Sequence, residues 1–494
     1  VNLLLATLLF AASDSQPAPE QTAPEAATNL KVELRKLHRV TSQEGVAEAP
    51  VAVATEPWRR AVSGLGLLVM IGLAWLISIK RKSVDWRLVA VGAGLQLFFG
   101  LIVLKTSGGE WFFSQLNDGV NSFLSFSTEG ARFLFGNLVQ NNIPTGTPVA
   151  DPTMGPVLDF NQTGWASAGA YFAFGVLPTL IFFSSVMGVL YHLGVMQKLV
   201  GWVAWVMRKT LRTSGAESLS AGGNIFLGQT ESPLLIRPYV SKMTESELMA
   251  VMVGGFATVA GGVMGAFVLM LRGYFPDIAG HLIAASVMSA PAALVMAKIM
   301  VPETEEPLTK EGVKHRFDKE SVNVIDAAAR GAGDGLMLAL NVGAMLIAFV
   351  ALVAMLNAGF IVLGETFGME HPLTMERILG WLLAPLAWVM GCDWADASFV
   401  GSQLGVKTVV NEFVAYLNLA GNMASDQPIS GRSAVILTYA LCGFANFSSI
   451  AIQIGGIGAI APERRSDLAR LGLRAMIGGN LAAFMTACVV GMIL

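Results

Sequence analysis

From residue 61 onward, apolar runs of about twenty residues, the length that crosses a bilayer core, alternate with short polar links. Eight runs are continuous: Ala61–Ile79, Leu88–Leu104, Ala168–Val195, Leu248–Leu271, Ile278–Met300, Met337–Val362, Val435–Ile460 and Leu473–Leu494. Two more are interrupted. In the first, Gly222 to Leu235, the polar residues Asn224, Gln229, Thr230 and Glu231 sit among glycines just before Pro233. In the second, Ile378–Val409, the break is Gly391-Cys392-Asp393-Trp394-Ala395-Asp396. Glycine admits unusual backbone angles and proline removes a donor, so both stretches predict broken segments. In lipid, irregular backbone survives only where protein buries it or a watery cavity meets it. Trp111–Leu138 and Gln197–Arg212 are amphipathic and suit helices lying in the interface. The pattern predicts an all-α polytopic membrane protein with about eight transmembrane helices and two re-entrant helical hairpins.

Composition agrees. The chain is 54% hydrophobic and 14% charged, against roughly 25% charged in a soluble domain. A net charge of -3 gives no basis for nucleic-acid binding. Cys392, Cys442 and Cys488 are far apart in apolar surroundings, with neither zinc spacing nor a disulfide framework. Residues 1–55 differ from the rest: Leu3–Ala12 is too short to span, and a Pro/Ala/Glu/Gln-rich tract follows. A signal segment and a disordered tail are expected there.

With the N-terminus outside, Lys80, Arg81, Lys82, Arg87, Lys198, Arg208, Lys209 and most later basic residues fall inside. Isolated cases such as Lys105, Arg272 and Arg377 remain outside, an asymmetry that fits the positive-inside rule.

The two broken stretches begin related halves. One runs from Gln229-Thr230-Glu231 to Gly255-Phe256-Ala257-Thr258; the other runs from Asn411-Glu412-Phe413 to Gly443-Phe444-Ala445-Asn446. The first hairpin enters from inside and the second from outside, which makes the repeat inverted. Paired interrupted helices of this kind point to a substrate site at mid-depth. Gln229, Thr230, Glu231, Glu412, Asn446, Ser448 and Ser449 gather donors and acceptors there, with Phe256 and Phe444 as aromatic faces. The set suits a neutral, hydroxyl-rich, flat solute, and no Lys or Arg is expected near it to hold a phosphate or carboxylate.

Blander roles also fit several of these residues. Glu231 could bond nearby backbone, Glu412 could be solvated, and Asn446, Ser448 and Ser449 could join helices. Asp393 and Asp396 suit a solvated turn. The five histidines, His38, His192, His281, His315 and His371, have no metal or triad spacing. Gly331-Ala332-Gly333-Asp334 matches the Gly-x-Gly-Asp of intramembrane aspartyl proteases, but no second Asp lies in an apolar core. Asp334 is expected at a cytoplasmic helix start. A channel is the other alternative class; broken, inverted hairpins favour alternating access instead.

Gly223-Asn224-Ile225-Phe226-Leu227-Gly228-Gln229-Thr230-Glu231-Ser232-Pro233-Leu234-Leu235, with Met243-Thr244-Glu245-Ser246-Glu247-Leu248, resembles the concentrative nucleoside transporter family. Lys407 to Tyr416, Ala440 to Ile450 and Ala461 to Ala469 resemble it too, and the likeness covers about residue 60 to the end. The resemblance implies a cation-coupled nucleoside symporter, not an enzyme, forming a homotrimer in a bacterial inner membrane. It implies that Gln229, Thr230 and Glu231 bind the base, that Glu412, Asn446 and Ser449 bind the ribose, and that Phe444 packs on the ligand. A sodium site maps onto Asn224, the backbone of Leu227, Thr258 and the backbone of Val259. Thr258 stands where family members often carry Ser, which leaves sodium or proton coupling open. No cofactor beyond the coupling ion is implied. Residues 56–212 are expected to form scaffold and interfacial helices. Residues 213–300 and 376–494 are expected as the two transport repeats, joined through a linker and long span at 301–375.

Overall fold

The computed structural model describes residues 56–139, 142–150, 158–167, 172–310, 321–369 and 371–494. The expected signal segment and tail at 1–55 lie outside these. Helix α1 (Pro57–Leu76) opens on a proline, which lacks only an N–H that would be unpaired in any first turn. Helix α2 (Trp86–Lys105) is capped by Asp85, whose carboxylate accepts from the N–H groups of Arg87 and Leu88. Helix α3 (Ser107–Phe135) is capped by Thr106. A two-stranded antiparallel ribbon follows, β1 (Asn142–Ala150) with β2 (Leu158–Ser167). Its register shifts between Thr145 and Gly146.

Helix α4 (Leu177–His192) runs into α5 (Val195–Leu211) through Gly194, at a φ of 77°. On α5, Val200, Ala204, Met207 and Leu211 are buried while Trp202 and Trp205 are exposed, and Lys209 lies over the Trp205 ring. The helix therefore has the two faces expected of an interfacial element.

Next come α6 (Gly215–Asn224), α7 (Glu245–Ala257), α8 (Gly261–Leu271) and α9 (Ile278–Met300). Then α10 (Val324–Thr366) continues unbroken for 43 residues. It begins thirteen residues before the apolar run read from sequence, because Asn323 caps it by accepting from Asp326 N–H. Asp334 consequently lies inside this helix and not at its start. The Gly-x-Gly-Asp glycine has a packing reason instead. A Cβ at Gly331 would collide with the Ser184 carbonyl, and one at Gly335 would fall 2.7 Å from the Ile181 Cα. Small residues let α4 and α10 approach backbone to backbone.

The chain finishes with α11 (Met375–Val389), α12 (Trp394–Val409), α13 (Glu412–Met423), α14 (Gly431–Leu441), α15 (Phe447–Ile460) and α16 (Arg465–Ile493). Seven helical segments among the described residues are long and apolar enough to cross a membrane. Helices α11 and α12 qualify only together and fold back on each other at 117°. Helices α14 and α15 are each short, with Cys442–Asn446 unwound between them. The protein is an all-α polytopic membrane protein in which the small ribbon is the one sheet among the described residues.

Helices α7, α8, α9 and α16 are buried along most of their length, whereas the most apolar stretch of α10 holds no buried residue. All three cysteines are buried free thiols. At one end, the buried Arg432 donates to the carbonyls of Gly391 and Gly491 and to Ser63 Oγ, which ties α14 to the α11–α12 turn, α16 and α1. Asp393 and Asp396 belong to the same brace instead of a free turn. Asp393 pairs with Arg59, and Asp396 accepts from the Ser430 N–H and hydroxyl.

Candidate functional site

Two hairpins and two unwound helices meet in the middle of the fold. The rising arm of the first hairpin is α6, every residue of which is buried. It starts with a reciprocal cap: Ser214 N–H donates to Glu217 Oε1 at 2.7 Å, and Ser214 Oγ accepts from Glu217 N–H. Thr244 and Glu247 repeat this cap on α7, and Ser214 Oγ donates to Glu247 across the two. Lys298 completes the root 2.7 Å from Glu217. The helix stops at Asn224, and a 3-10 turn, Ser232–Ile236, returns beside it. Ser232 Oγ donates to the Ser220 carbonyl at 2.7 Å and closes the hairpin.

Residues 225–231 between the arms carry the chemistry. Gln229 is buried, and its Nε2 donates to Ser449 Oγ at 3.1 Å. Thr230 packs on Gly456 of α15, where a Cβ would fall 2.9 Å from its methyl group. Glu231 is exposed, and its carboxylate accepts from Gly228 N–H at 3.2 Å. Asn224 is 1% exposed, yet neither its Oδ1 nor its Nδ2 has a hydrogen-bond partner. Both atoms stay unpaired whichever way the amide is turned. Asn224 faces Gly254 on α7, and Thr258 Oγ1 donates to the Gly254 carbonyl at 2.9 Å. Leu227 and Val259 are buried, and Gly261 N–H donates to the Phe226 carbonyl at 3.1 Å, joining the hairpin tip to the α7–α8 break.

The hairpin that presents Glu412 turns at Val410–Asn411 between α12 and α13, and not at the Gly391–Asp396 break read from sequence. Glu412 takes the first position of α13, after Asn411, which caps the helix by accepting from Val414 N–H. Glu412 is buried and accepts from Asn446 Nδ2 at 3.0 Å. Asn446 in turn caps α15: its Oδ1 accepts from Ser449 N–H at 2.9 Å and from Ser448 Oγ at 2.7 Å. Gln229, Ser449, Asn446 and Glu412 thus form one continuous polar chain from the first hairpin tip to the second. Phe444 is half-buried beside it. Gly443, at a φ of 142°, lies so close to Phe256 and Ala257 that a Cβ would stand 2.7 Å from the Phe256 carbonyl. The two unwound segments therefore touch. Phe256 itself is fully buried and packs on Gly479, a core residue and not an open aromatic face.

Two buried polar residues escaped the sequence reading. Lys407, read there as absent from the neighbourhood, is fully buried on α12; it donates to the Ala440 carbonyl at 2.8 Å and sits over the Phe484 ring. Gln453, also fully buried, donates to Gln229 Oε1 and the Met252 carbonyl. Its signal was present: it follows Ser449 by four residues, on the same helix face.

Apolar spanning helices, two hairpins and buried polar groups lining the breaks between them define a membrane transport protein. The comparisons narrow the class. The Na+ dependent nucleoside transporter N-terminus matches residues 65–138, nucleoside recognition matches 173–274, and the Na+ dependent nucleoside transporter C-terminus matches 281–491. An uncharacterized transporter of Haemophilus influenzae is 42% identical over 431 residues, covering 87% of this chain and 96% of its own. Solute carrier family 28 member 3 of Eptatretus stoutii is 42% identical over 441 residues; the match covers 87% of this chain but only 60% of that longer protein. CNTnw, solved in an inward-facing substrate-bound state, superposes with a TM-score of 0.77 at 42% identity, covering 88% of this chain and 98% of that one. A CNTnw double variant in an outward-facing state gives 0.78. The chain belongs to the concentrative nucleoside transporter family, a Na+ dependent family of transporters and not of enzymes.

Proposed function

We propose that this protein is a sodium-coupled nucleoside symporter that imports its substrate by alternating access, as a homotrimer in a bacterial inner membrane with its N-terminus outside. The observation that carries the reading is the unbroken polar chain Gln229–Ser449–Asn446–Glu412 between the two hairpins. Buried polar groups that are linked in this way, beside an exposed carboxylate, can exchange bonds with one another for bonds to a solute at little net cost. Glu412, Asn446 and Ser449 would take the ribose hydroxyls, since a carboxylate accepts and a carboxamide does both. Gln229, Thr230 and Glu231 would meet the base, with Phe444 against the ligand. Residues 213–300 and 376–494 would act as the paired transport repeats.

Sodium is the coupling ion in this reading. A buried, unpaired carboxamide costs about 1–3 kcal/mol, and the Asn224 oxygen is such a group. The Thr258 hydroxyl gives its proton to Gly254 and keeps its lone pairs. With the carbonyls of Leu227 and Val259, these would supply the oxygen ligands a hard cation takes from half-helix ends. An ion at Asn224 would order the same tip that presents Gln229 and Glu231. Sodium would then raise nucleoside affinity, and the nucleoside would raise sodium affinity equally by linkage.

The test is nucleoside binding and uptake in proteoliposomes, with and without a sodium gradient. Uphill accumulation that a sodium ionophore abolishes, with tighter uridine or adenosine binding in sodium, is expected. Equal affinity in sodium and potassium would overturn the coupling, and uptake driven by a pH gradient alone would assign the role to protons. Flux only down the nucleoside gradient would mark a channel.

A further inference from the structure

We infer that Gln453 is a positioning residue for base discrimination. It holds the Gln229 carboxamide in one orientation and so decides which of that group's donor and acceptor meets the base. The inference rests on the reading above, in which Gln229 contacts the base.

The orientation follows from a fixed reference. The Met252 carbonyl can only accept, so the Gln453 atom 3.1 Å from it is the nitrogen. The second N–H of that nitrogen reaches the Gln229 side chain at 3.2 Å, so the atom there is Oε1. Gln229 Nε2 is then the atom that faces Ser449 Oγ at 3.1 Å. A carboxamide is nearly symmetric in shape and only its bonding network tells its ends apart. Here the network is anchored on backbone. Gln453 Oε1 is buried without a partner, so the residue is held through its nitrogen alone. A Cβ at Gly255 would fall 2.8 Å from Gln453 Nε2 and 2.9 Å from Gln229 Cβ; glycine leaves the room in which the two amides meet.

The consequence is chemical. Gln229 retains one N–H and one lone pair beyond the bonds to Ser449 and Gln453. Uracil offers N3–H as donor and O4 as acceptor, whereas cytosine offers N3 as acceptor and an N4 amine as donor. Hypoxanthine and adenine are related in the same way at N1 and position 6. Reversing the Gln229 amide exchanges its donor and acceptor and so favours the other member of each pair.

The experiment compares the ratio of affinities for uridine over cytidine, and for inosine over adenosine, in purified full-length protein in sodium. Two pairs are used so that the readout holds whichever ring size fits. Gln453→Glu has no N–H and repels the Met252 carbonyl, so Gln229 should turn its nitrogen toward position 453; at least one ratio is expected to shift by about tenfold or more. Gln453→Met keeps the length without the bonds, and the ratios should move toward one while sodium stimulation of binding is retained. A merely structural role would lower all four affinities alike. Wild-type ratios in Gln453→Glu, or in Gln453→Met should the Glu variant not fold, overturn the inference when Gln229→Ala alters them. Unchanged affinities in Gln229→Ala would instead overturn the assignment of Gln229 to the base.

Discussion

The two hairpin tips occupy corresponding places in the two halves, yet their polar groups are in opposite conditions. In the second, the polar side chains are bonded: Asn411 caps α13, Glu412 accepts from Asn446, and Lys407 donates to the Ala440 carbonyl. In the first, Asn224 is buried with no partner, and Glu231 is exposed with one bond to its own loop. A satisfied network rigidifies, and an unsatisfied group is held in readiness at a cost. In the proposed function the second tip would meet the substrate with groups already held in place, and the first would be the part that an ion completes.

Mutations can break this contrast. The largest effect is expected from Glu231→Gln, which replaces the carboxyl group by an amide without changing size. Radiolabelled nucleoside uptake should fall by about a hundredfold or more. Wild-type uptake would remove Glu231 from the site. Next is Asn446→Ala, which takes away a helix cap and the Glu412 bond together. Nucleoside affinity should fall by roughly tenfold to a hundredfold and stability by about 1–2 kcal/mol, with trimer assembly intact. Unchanged affinity in a binding isotherm would count against it.

Asn224→Leu sharpens the comparison because it should separate function from stability. Sodium stimulation of binding should disappear. Unfolding in sodium-free buffer should occur at the wild-type temperature or slightly above, since an unpaired buried amide has become an apolar group of similar size. A large loss of stability would mean that Asn224 has a structural partner. The smallest effect belongs to Thr258→Ser, which keeps the hydroxyl and drops a methyl; the sodium requirement should change within about threefold. Thr258→Val keeps the methyl and loses the hydroxyl, and should raise the sodium concentration needed by about tenfold. Equal behaviour of the two variants would exclude the hydroxyl as a ligand.

Much of this was legible in the sequence because membrane proteins write their constraints strongly. Polar residues and glycines inside an apolar run marked the Asn224–Glu231 tip, since lipid tolerates neither casually, whereas Val435–Ile460 reads as one continuous span and is in fact broken at Cys442–Asn446. What escaped depends on partners far along the chain. Lys407 reads as an ordinary charge near a hairpin end, and only the arrival of Ala440 and Phe484 makes it a buried bond. Gln453 becomes informative only when Met252 and Gln229 are beside it. Asp334 was misplaced because a hydropathy window sees apolar residues, whereas the helix begins at a polar cap eleven residues earlier, at Asn323. Phe256 and Phe444 share a local motif, but one is sealed and the other half-open, a difference that packing and not sequence decides.

The length of α10 carries a further consequence. At 1.5 Å per residue, its 43 residues extend for roughly 65 Å, about twice the hydrocarbon thickness. An upright rod of that size would project far into water, so it must slant steeply across the bilayer or protrude.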